Sequence, residues 1–336
     1  MKTRKSKLLL SKKHLKKLKW GVAGCGRYSE LTFLPTLQVV KKNQLVSIYS
    51  SSIKRAQFIA NKFNADKGYD DYKSFLNSDF DAVYVSSRNS DHSWQVIQAA
   101  EAGKHVLCEK PLATSSEEAQ KMVDACKQNN VNLSVNYVYR FHPLVDKARE
   151  LINKQVIGKI VSISTNFNID YAPNDNFRFN REYSGGGALR DLGTHMIDLL
   201  MYFGGPIDHI QGNTDNIVYK SEVEDFANGI VKFRNSGYGY FNVSFNAKKH
   251  FNRIEILGYK GCISLDNMVG RKNESSKLTI QLSDEAGKAF RKKSNNQANL
   301  IKSFQKSFFN NTKPKVTGED GLINLQLMER LERNES

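Results

Sequence analysis

Three polar residues in two separate segments have the types and spacing needed for proton transfer at a hydroxyl or carbonyl group. Lys110 lies in Glu109-Lys110-Pro111, directly after an apolar run, where its ammonium group could orient and polarise an oxygen atom. Asp191 and His195 are four positions apart, which places both side chains on the same face of a helix. A carboxylate beside an imidazole forms a proton-transfer pair, so we expect the pKa of His195 to lie near neutrality.

A glycine-rich segment, Gly24-Cys25-Gly26-Arg27-Tyr28-Ser29, follows an apolar run at residues 20–23. Gly24 permits a tight turn, and Gly26 lets the backbone approach a pyrophosphate that lies on the free N–H groups of a helix N-terminus. Ser29 replaces the third glycine of the common pattern, yet a preceding strand, a following helix and a second strand are all predicted. The segment, including Arg27 and Tyr28, is predicted to bind a dinucleotide; the alternative is an ordinary glycine-rich turn.

The end of the second predicted strand indicates which dinucleotide binds. Enzymes that use NAD usually have Asp or Glu here, bonded to the ribose 2′-hydroxyl. This chain has no carboxylate between residues 50 and 55, whereas Ser50, Ser51, Lys54 and Arg55 could bind a 2′-phosphate. The sequence therefore favours NADP over NAD; the alternative is that Lys54 and Arg55 are solvated residues that begin a helix.

Strands and helices alternate around these segments. The predicted strands are residues 20–23, 45–49, 82–85, 106–107 and 132–136, and the predicted helices are residues 31–40, 55–63, 92–102 and 116–129. Alternation over about 120 residues is typical of a right-handed, doubly wound parallel sheet, an α/β fold.

After Pro143 the pattern changes. A helix at residues 144–154 precedes runs with a period of two, which are typical of a mainly antiparallel sheet. These runs are residues 160–168, 226–233, 238–245, 253–258, 262–265 and 278–282. A helix at residues 188–203 carries Asp191 and His195, and the Gly185-Gly186-Gly187 segment before it allows close approach to something flat or bulky.

Five ordered segments resemble the Gfo/Idh/MocA family of NAD(P)-dependent oxidoreductases. They are Gly24-Cys25-Gly26 and residues 102–111, 139–143, 157–160 and 185–198. The resemblance implies a Rossmann dinucleotide-binding domain at residues 19–141. It also implies a substrate-binding and oligomerisation domain, α+β with a large, mainly antiparallel open sheet, at residues 142–336. Residues 1–18 form a basic extension ahead of both.

The resemblance also implies roles for individual residues. Lys110 is then the catalytic lysine, His195 the proton acceptor in oxidation and donor in reduction, and Asp191 the residue that orients His195 or the substrate. Arg140, Lys110, Asp191 and His195 would contact the substrate. The implied cofactor site adds Ser87, Asn89, His92, Glu109 and Lys110. Where the family often has Thr-Pro-Asn, this chain has Ser87-Arg88-Asn89, so Arg88 could contact adenine or an anionic substrate, or simply lie on the surface.

Composition limits the other classes of function. The net charge is +16, but nine basic residues and no acidic residue lie within residues 1–19, so the rest of the chain carries +7. Concentration of charge in a short arm argues against nucleic acid as a partner, although a weak amphipathic pattern in the arm leaves binding to RNA or a membrane surface as an alternative. No apolar run approaches the roughly 20 residues of a membrane span.

The cysteines are scattered, without a CxxC pair, and there is no HExxH motif, so we expect no metal site and a reducing, cytoplasmic location.

The leading hypothesis is hydride transfer between NAD(P) and a sugar, cyclic polyol or sugar derivative, by a homodimer or homotetramer formed through the second sheet. One alternative is a nucleotide-sugar dehydrogenase or reductase of polysaccharide biosynthesis. Another is a non-catalytic NADP-binding regulator, which would not need Lys110, Asp191 and His195.

Overall fold

Short, almost wholly apolar strands form a six-stranded parallel sheet in the first part of the chain. The computed structural model describes residues 16–268, 275–283 and 286–333. The strands are β1 (Leu18–Ala23), β2 (Asn43–Tyr49), β3 (Lys67–Tyr69), β4 (Ala82–Val85), β5 (His105–Cys108) and β6 (Leu133–Val135). Their order in the sheet is β3-β2-β1-β4-β5-β6. Helices cover both faces, so a central strand such as β4 is buried along its whole length.

The helices of this part begin with a π-helical turn at Ser29–Phe33. The α-helices are α1 (Leu34–Val39), α2 (Ile53–Phe63), α3 (Tyr72–Leu76), α4 (Asn89–Glu101) and α5 (Ser116–Gln128). The strand order reverses between β1 and β4, and at such a point a crevice opens beyond the carboxyl ends of the strands. The elements β3 and α3 were not predicted, because three and five residues are too few to show a period.

An eight-stranded sheet forms the second part. Its strands are β7 (Ile160–Asp170), β8 (Ile207–Asp215), β9 (Phe226–Phe233), β10 (Tyr238–Ser244), β11 (Asn246–Gly258), β12 (Gly261–Asp266), β13 (Ser276–Leu282) and β14 (Lys288–Lys292). Their order is β14-β13-β12-β11-β7-β10-β9-β8, and only the β7–β10 pair of these described strands is parallel. The predicted fold class, a doubly wound parallel sheet followed by a domain with a mainly antiparallel sheet, is confirmed.

The remaining helices connect the two sheets. Two 3₁₀ turns lie at Val138–Phe141 and Phe177–Phe179, a π-helical turn lies at Leu189–Gly193, and the α-helices are α6 (Pro143–Asn153), α7 (Arg181–Ser184), α8 (Thr194–Gly204), α9 (Asn296–Asn310) and α10 (Gly318–Glu332). The predicted single helix at residues 188–203 is thus a π-helical turn continued by α8. The last two helices return to the first sheet. Phe304 of α9 packs on Trp20 with ring centroids 5.2 Å apart, and Glu329 of α10 accepts from Ser116 at the start of α5.

The predicted basic extension falls largely on residues 1–15, which lie outside the described residues. Within the described ranges, no helix has the length and apolar character needed to cross a membrane.

Candidate active site

Two adjoining clefts lie at the carboxyl ends of the parallel strands, facing the second sheet. The first, of about 370 Å³, brings together most of the predicted site residues. These are Gly26, Arg27, Tyr28, Ser87, Asn89, Glu109, Lys110, Asp191 and His195. The second, of about 330 Å³, shares Gly26, Ser86, Ser87 and Phe177 with the first and also contains Gly24, Ser50, Ser51 and Arg55. Three predicted residues, Lys54, His92 and Arg140, line neither cleft.

The glycine-rich segment forms a turn that opens onto both clefts. Gly24 has φ +100°, and a Cβ atom there would lie 2.5 Å from the main chain of Ser86. A Cβ atom on Gly26 would instead meet no protein atom within 4 Å, so it would extend into the cleft. Ser29, in place of the third glycine, donates its hydroxyl to the carbonyl of Gly24 at 2.9 Å and so fixes the turn. The turn therefore leaves a space that a pyrophosphate fits and that a side chain would fill.

Lys110 and Asp191 form the central ion pair of the first cleft. Lys110 Nζ donates to Asp191 Oδ1 at 2.6 Å and to the Asp191 carbonyl at 2.9 Å. Arg178 Nε donates to the same Oδ1 at 3.4 Å. Burial opposes ionisation of Asp191, but the charges of Lys110 and Arg178 outweigh it and hold the pKa of Asp191 below its usual range. Asp191 therefore remains an anion that fixes the position of the lysine.

His195 lies in the same cleft, enclosed by aromatic side chains. Its ring lies 4.6 Å from that of Tyr139 and 6.3 Å from that of Tyr137, measured between centroids. Burial and the nearby charge of Lys110 lower the pKa of His195 well below its usual value, against the smaller effect of Asp191. The expectation of a pKa near neutrality was wrong, because burial of the imidazole and the charge of Lys110 together outweigh the effect of Asp191. His195 is consequently neutral and able to accept a proton.

Arg140 does not lie where we predicted it. Its Nη2 lies 2.6 Å from Asp198 Oδ1, its Nε donates to Asp198 Oδ2 at 2.9 Å, and Asp320 accepts at 3.3 Å. The guanidinium is buried and lines neither cleft, so substrate contact is not supported by its position. The two carboxylates come from α8 and α10, so Arg140 joins those helices to the turn that follows β6.

The second cleft has the composition expected of a site for the adenosine end. Ser50 and Ser51 line it directly after β2, where residues 50–55 contain no carboxylate, and Asp91 of α4 also lines this cleft. Arg55 lines this cleft, but its guanidinium donates to the carbonyl of Cys25 at 3.2 Å and 3.0 Å and pairs with Glu30. Lys54 is exposed and lines neither cleft. Of the two cations predicted to meet a 2′-phosphate, Arg55 therefore lines the second cleft and Lys54 does not.

Three more predicted cofactor residues lie at the start of α4. Ser87 donates to Gln95 Oε1 at 2.7 Å, and Asn89 Nδ2 donates to the Ser184 carbonyl at 2.8 Å while lining the first cleft. His92 is fully buried behind the cleft, where Nδ1 bonds the carbonyl of Pro111 at 3.1 Å. Burial lowers the pKa of His92 to about 4. The predicted contact of His92 with the cofactor stays a prediction, since His92 lines neither cleft and instead supports the segment that carries Lys110.

The triple glycine serves packing within the protein. A Cβ atom on Gly187 would lie 2.0 Å from the carbonyl oxygen of Glu224, and one on Gly185 would lie 3.2 Å from Thr114. The Glu224 carboxylate accepts from the backbone N–H groups of Gly187 and Leu189 at 2.8 Å and 3.0 Å. The glycines were expected to allow close approach of a flat or bulky group. In the structure, the protein segments around Glu224 and Thr114 pack against them.

Sequence reasoning missed several residues of the first cleft. Asn176, Phe177 and Arg178 come from the 3₁₀ turn after β7, and Asn136 follows β6. Arg178 lies over the Phe177 ring at 4.9 Å. This loop has no hydrophobic periodicity. The sequence feature that could have indicated it is an arginine between two phenylalanines, Phe177-Arg178-Phe179. Among the described residues, no group of three or more His, Cys, Asp or Glu side chains could hold a metal ion.

The two clefts together fit a dinucleotide. The space in front of Gly26, the hydroxyls of Ser50 and Ser51 and the cation Arg55 match phosphate and ribose groups. In addition, the buried Oδ1 of Asn136, in the wall of the first cleft, has no hydrogen-bond partner within the protein. An unsatisfied buried polar atom beside a cleft is consistent with a polar ligand.

Comparisons with known proteins agree with this geometry. Residues 18–137 match the model of an oxidoreductase family with an NAD-binding Rossmann fold, and residues 145–264 match the GFO/IDH/MocA C-terminal domain. The chain is 27% identical over 312 residues to 1,5-anhydro-D-fructose reductase of Ensifer adhaerens, which covers 91% of this chain and 93% of that one.

Solved structures show the same fold. The aldose-aldose oxidoreductase of Caulobacter crescentus, complexed with glycerol, aligns with a TM-score of 0.86 and 24% identity over 95% of this chain and 97% of that chain. KijD10, a 3-ketoreductase of Actinomadura kijaniata in complex with NADP and TDP-benzene, aligns with a TM-score of 0.84 and 23% identity over 95% and 98%. With both family models matched in order along one chain, the protein belongs to the Gfo/Idh/MocA family of oxidoreductases.

Proposed function

We propose that the protein transfers a hydride between the nicotinamide of NADP and a hydroxyl-bearing or carbonyl carbon of a sugar, cyclic polyol or sugar derivative. One observation carries this proposal: Lys110, Asp191 and His195 converge in a cleft that adjoins the Gly24–Ser29 turn. The relatives support the substrate class, since one reduces 1,5-anhydro-D-fructose and another acts on aldoses by their names.

The cofactor supplies the hydride chemistry when it is bound. The protein's residues handle the proton and position the reacting carbon. A lysine ammonium has three N–H donors, of which Asp191 takes two, so Lys110 retains one for the substrate oxygen. The neutral imidazole of His195 accepts the hydroxyl proton in oxidation and returns it in reduction. Asp191 remains ionised and keeps Lys110 in position.

The preference for NADP is part of the proposal. The support is the absence of a carboxylate between residues 50 and 55, the presence of Arg55 in the second cleft, and the NADP bound in KijD10. Steady-state kinetics with NADPH and NADH test it: we expect a lower Michaelis constant for NADPH, and a clear preference for NADH would contradict it.

A nucleotide-linked sugar is the second candidate substrate. Arg27 lines the first cleft together with Arg178, which is also paired with Asp191, and the two cations could meet a diphosphate there. KijD10, which resembles this chain in fold, was crystallised with TDP-benzene. A panel of inositols, aldoses, deoxy sugars and nucleotide sugars, with NADP and NAD reduction followed for each, separates the two candidates. A protein that binds the cofactor and oxidises or reduces none of them would contradict the proposal.

Association through the second sheet is also proposed. Its outer face exposes apolar side chains, among them Ile230 (53% exposed) and Tyr240 (44% exposed), which lie opposite each other on β9 and β10. A second copy of the chain that covers this face would form a homodimer or, by two such contacts, a homotetramer. The four cysteines are free thiols, which is consistent with the cytoplasmic location that we also propose.

A further inference from the structure

Glu109 is a buried carboxylate in the first cleft that is bonded to neutral donors. The hydroxyl of Tyr84 and the side-chain amide of Asn136 both donate to its Oε1. The backbone N–H of Lys110 donates to its Oε2 at 3.3 Å. The ammonium group of Lys110 is directed to Asp191 instead. In the part of the chain that the structure describes, Glu109 forms no ion pair.

The two acidic residues of the cleft therefore differ in their charge balance. Asp191 is paired with Lys110 and Arg178, whereas no cation of the described ranges is paired with Glu109. A buried carboxylate without a paired cation is costly to ionise. Burial accordingly raises the pKa of Glu109, against the opposing effects of its hydrogen bonds to Tyr84 and Asn136 and of the nearby charge of Lys110. A positive charge on a bound ligand would offset that cost.

The position of Glu109 identifies which part of a ligand it faces. A dinucleotide whose adenosine end lies near Ser50 and whose pyrophosphate lies at Gly26 places its nicotinamide end in the first cleft, beside Lys110. The nicotinamide ring carries a positive charge when oxidised and none when reduced. Asn136, which bonds Glu109, is itself held by Gln297 of α9 at 3.3 Å, and Tyr28 donates to the same Gln297 oxygen at 2.9 Å. The carboxylate is thus fixed in place at the nicotinamide end of the cleft.

We propose that Glu109 discriminates between the redox states of the cofactor, so that the oxidised form binds more tightly than the reduced form. This inference rests on the proposed function, because it assumes a nicotinamide cofactor in these clefts. The attraction acts over a short distance inside the protein, where charges are screened less than in water. The reduced cofactor is therefore released more readily than the oxidised form.

The test is the ratio of dissociation constants for NADPH and NADP⁺, measured by calorimetric titration at pH 8. Glu109→Gln keeps the size of the side chain and one acceptor oxygen but removes the charge. We expect the ratio to fall at least about tenfold, equivalent to about 1.4 kcal/mol. Glu224→Gln, which removes a buried carboxylate outside both clefts, should leave the ratio unchanged. An unchanged ratio in Glu109→Gln overturns the inference.

A ligand without nicotinamide separates this inference from the proposed function. ADP-ribose 2′-phosphate should bind the native protein and Glu109→Gln equally. If it and both redox states fail to bind the native protein, the proposed function is overturned. If all three bind and the ratio is the same in both proteins, only the role of Glu109 is overturned.

A measurement on the native protein covers the case in which Glu109→Gln does not fold. As pH falls, protonation of Glu109 should reduce the preference for NADP⁺, while the 2′-phosphate affects both redox states alike. The other groups facing this region keep their charge: Asp191 stays ionised, His195 stays neutral, and the raised pKa values of Tyr28, Tyr84, Tyr139 and Arg178 leave their protonation unchanged. A ratio that does not change between pH 8 and the acid limit of folding contradicts the inference.

Discussion

Lys110 donates from one ammonium group to both the carboxylate and the main-chain carbonyl of Asp191, at 2.6 Å and 2.9 Å. Lys110 follows β5 of the first sheet, whereas Asp191 lies in the π-helical turn before α8 in the second part of the chain. The pair therefore joins the cofactor-binding part to the helix that begins next to His195. The residues that we propose transfer the proton and orient the substrate are thus held together across the boundary between the two sheets.

The pH dependence of oxidation should reflect the lowered pKa of His195. Only the neutral imidazole can accept a proton, and a lowered pKa keeps it neutral to lower pH. The rate of sugar oxidation should consequently not fall near pH ~6.5, the usual histidine value, through titration of this residue. Lys110→Met removes a charge that lowers the pKa of His195. The residual activity of this variant should therefore begin to fall at a higher pH than that of the native protein as the solution is made more acidic. A native acid limb centred near the usual value would contradict this account.

The two glycines of the dinucleotide turn should respond oppositely to alanine. Gly26→Ala should fold with an unchanged melting temperature, because its Cβ atom meets no protein atom, but should weaken NADPH binding at least about tenfold. Gly24→Ala should destabilise the fold by about 1–3 kcal/mol, because φ is positive and the Ser86 main chain lies 2.5 Å away. Thermal melting and NADPH titration of both variants check this. Unimpaired NADPH binding by Gly26→Ala would be inconsistent with a pyrophosphate at this turn.

Burial of His92 should make stability depend on pH. Its pKa is lowered to about 4 when folded, so between about pH 6.5 and 4 the unfolded chain binds a proton that the folded chain does not. Above about pH 6.5 the histidine is neutral in both states and the free energy of unfolding is at its full value. As pH falls from about 6.5 to 4, the free energy of unfolding decreases by about 3 kcal/mol at most. The free energy of unfolding, measured with urea at several pH values, should decrease less steeply with falling pH in His92→Gln than in the native protein. Some decrease should remain in the variant, because burial also lowers the pKa of His142 to about 4.

The outer face of the second sheet should determine the oligomeric state. Replacing Tyr240 and Ile230 together by lysine places two charges opposite each other on β10 and β9. Light scattering coupled to size exclusion should give a dimer or tetramer for the native chain and a monomer for the double variant. Lys121→Ser, which replaces an exposed lysine on α5 and away from this sheet, serves as the control. A native monomer would exclude association through this face.

Local patterns in the sequence were sufficient for the fold and for part of the site. Apolar runs separated by amphipathic helices predict a parallel sheet because both of its faces are buried, and the structure confirms this. The strand before Lys110 predicted that this residue lies at the carboxyl edge of the sheet, where ligands bind. The resemblance to the Gfo/Idh/MocA family implied that Asp191 and His195 act together with it.

The direction of a side chain and the charge around it depend on residues far along the chain. Arg140 is paired with Asp198 and Asp320, 58 and 180 positions later, and no local pattern shows this. The pKa of His195 is lowered by burial and by the charge of Lys110, whose effect exceeds that of Asp191, four positions before the histidine. Arg178 enters the cleft from a loop without periodicity. Such features follow from tertiary contacts, which is why sequence reasoning misplaced or missed them.

The central claim is that Lys110, held by Asp191, takes part in hydride transfer. The most direct measurement is single-turnover hydride transfer with a sugar substrate at saturating NADP, comparing the native protein, Lys110→Met and the surface control Lys121→Met. We predict that Lys110→Met loses about 10²–10³-fold in rate, while its dissociation constant for NADP changes by less than about threefold and Lys121→Met behaves like the native protein. Hydride transfer at the native rate in Lys110→Met, with cofactor bound, would contradict the account.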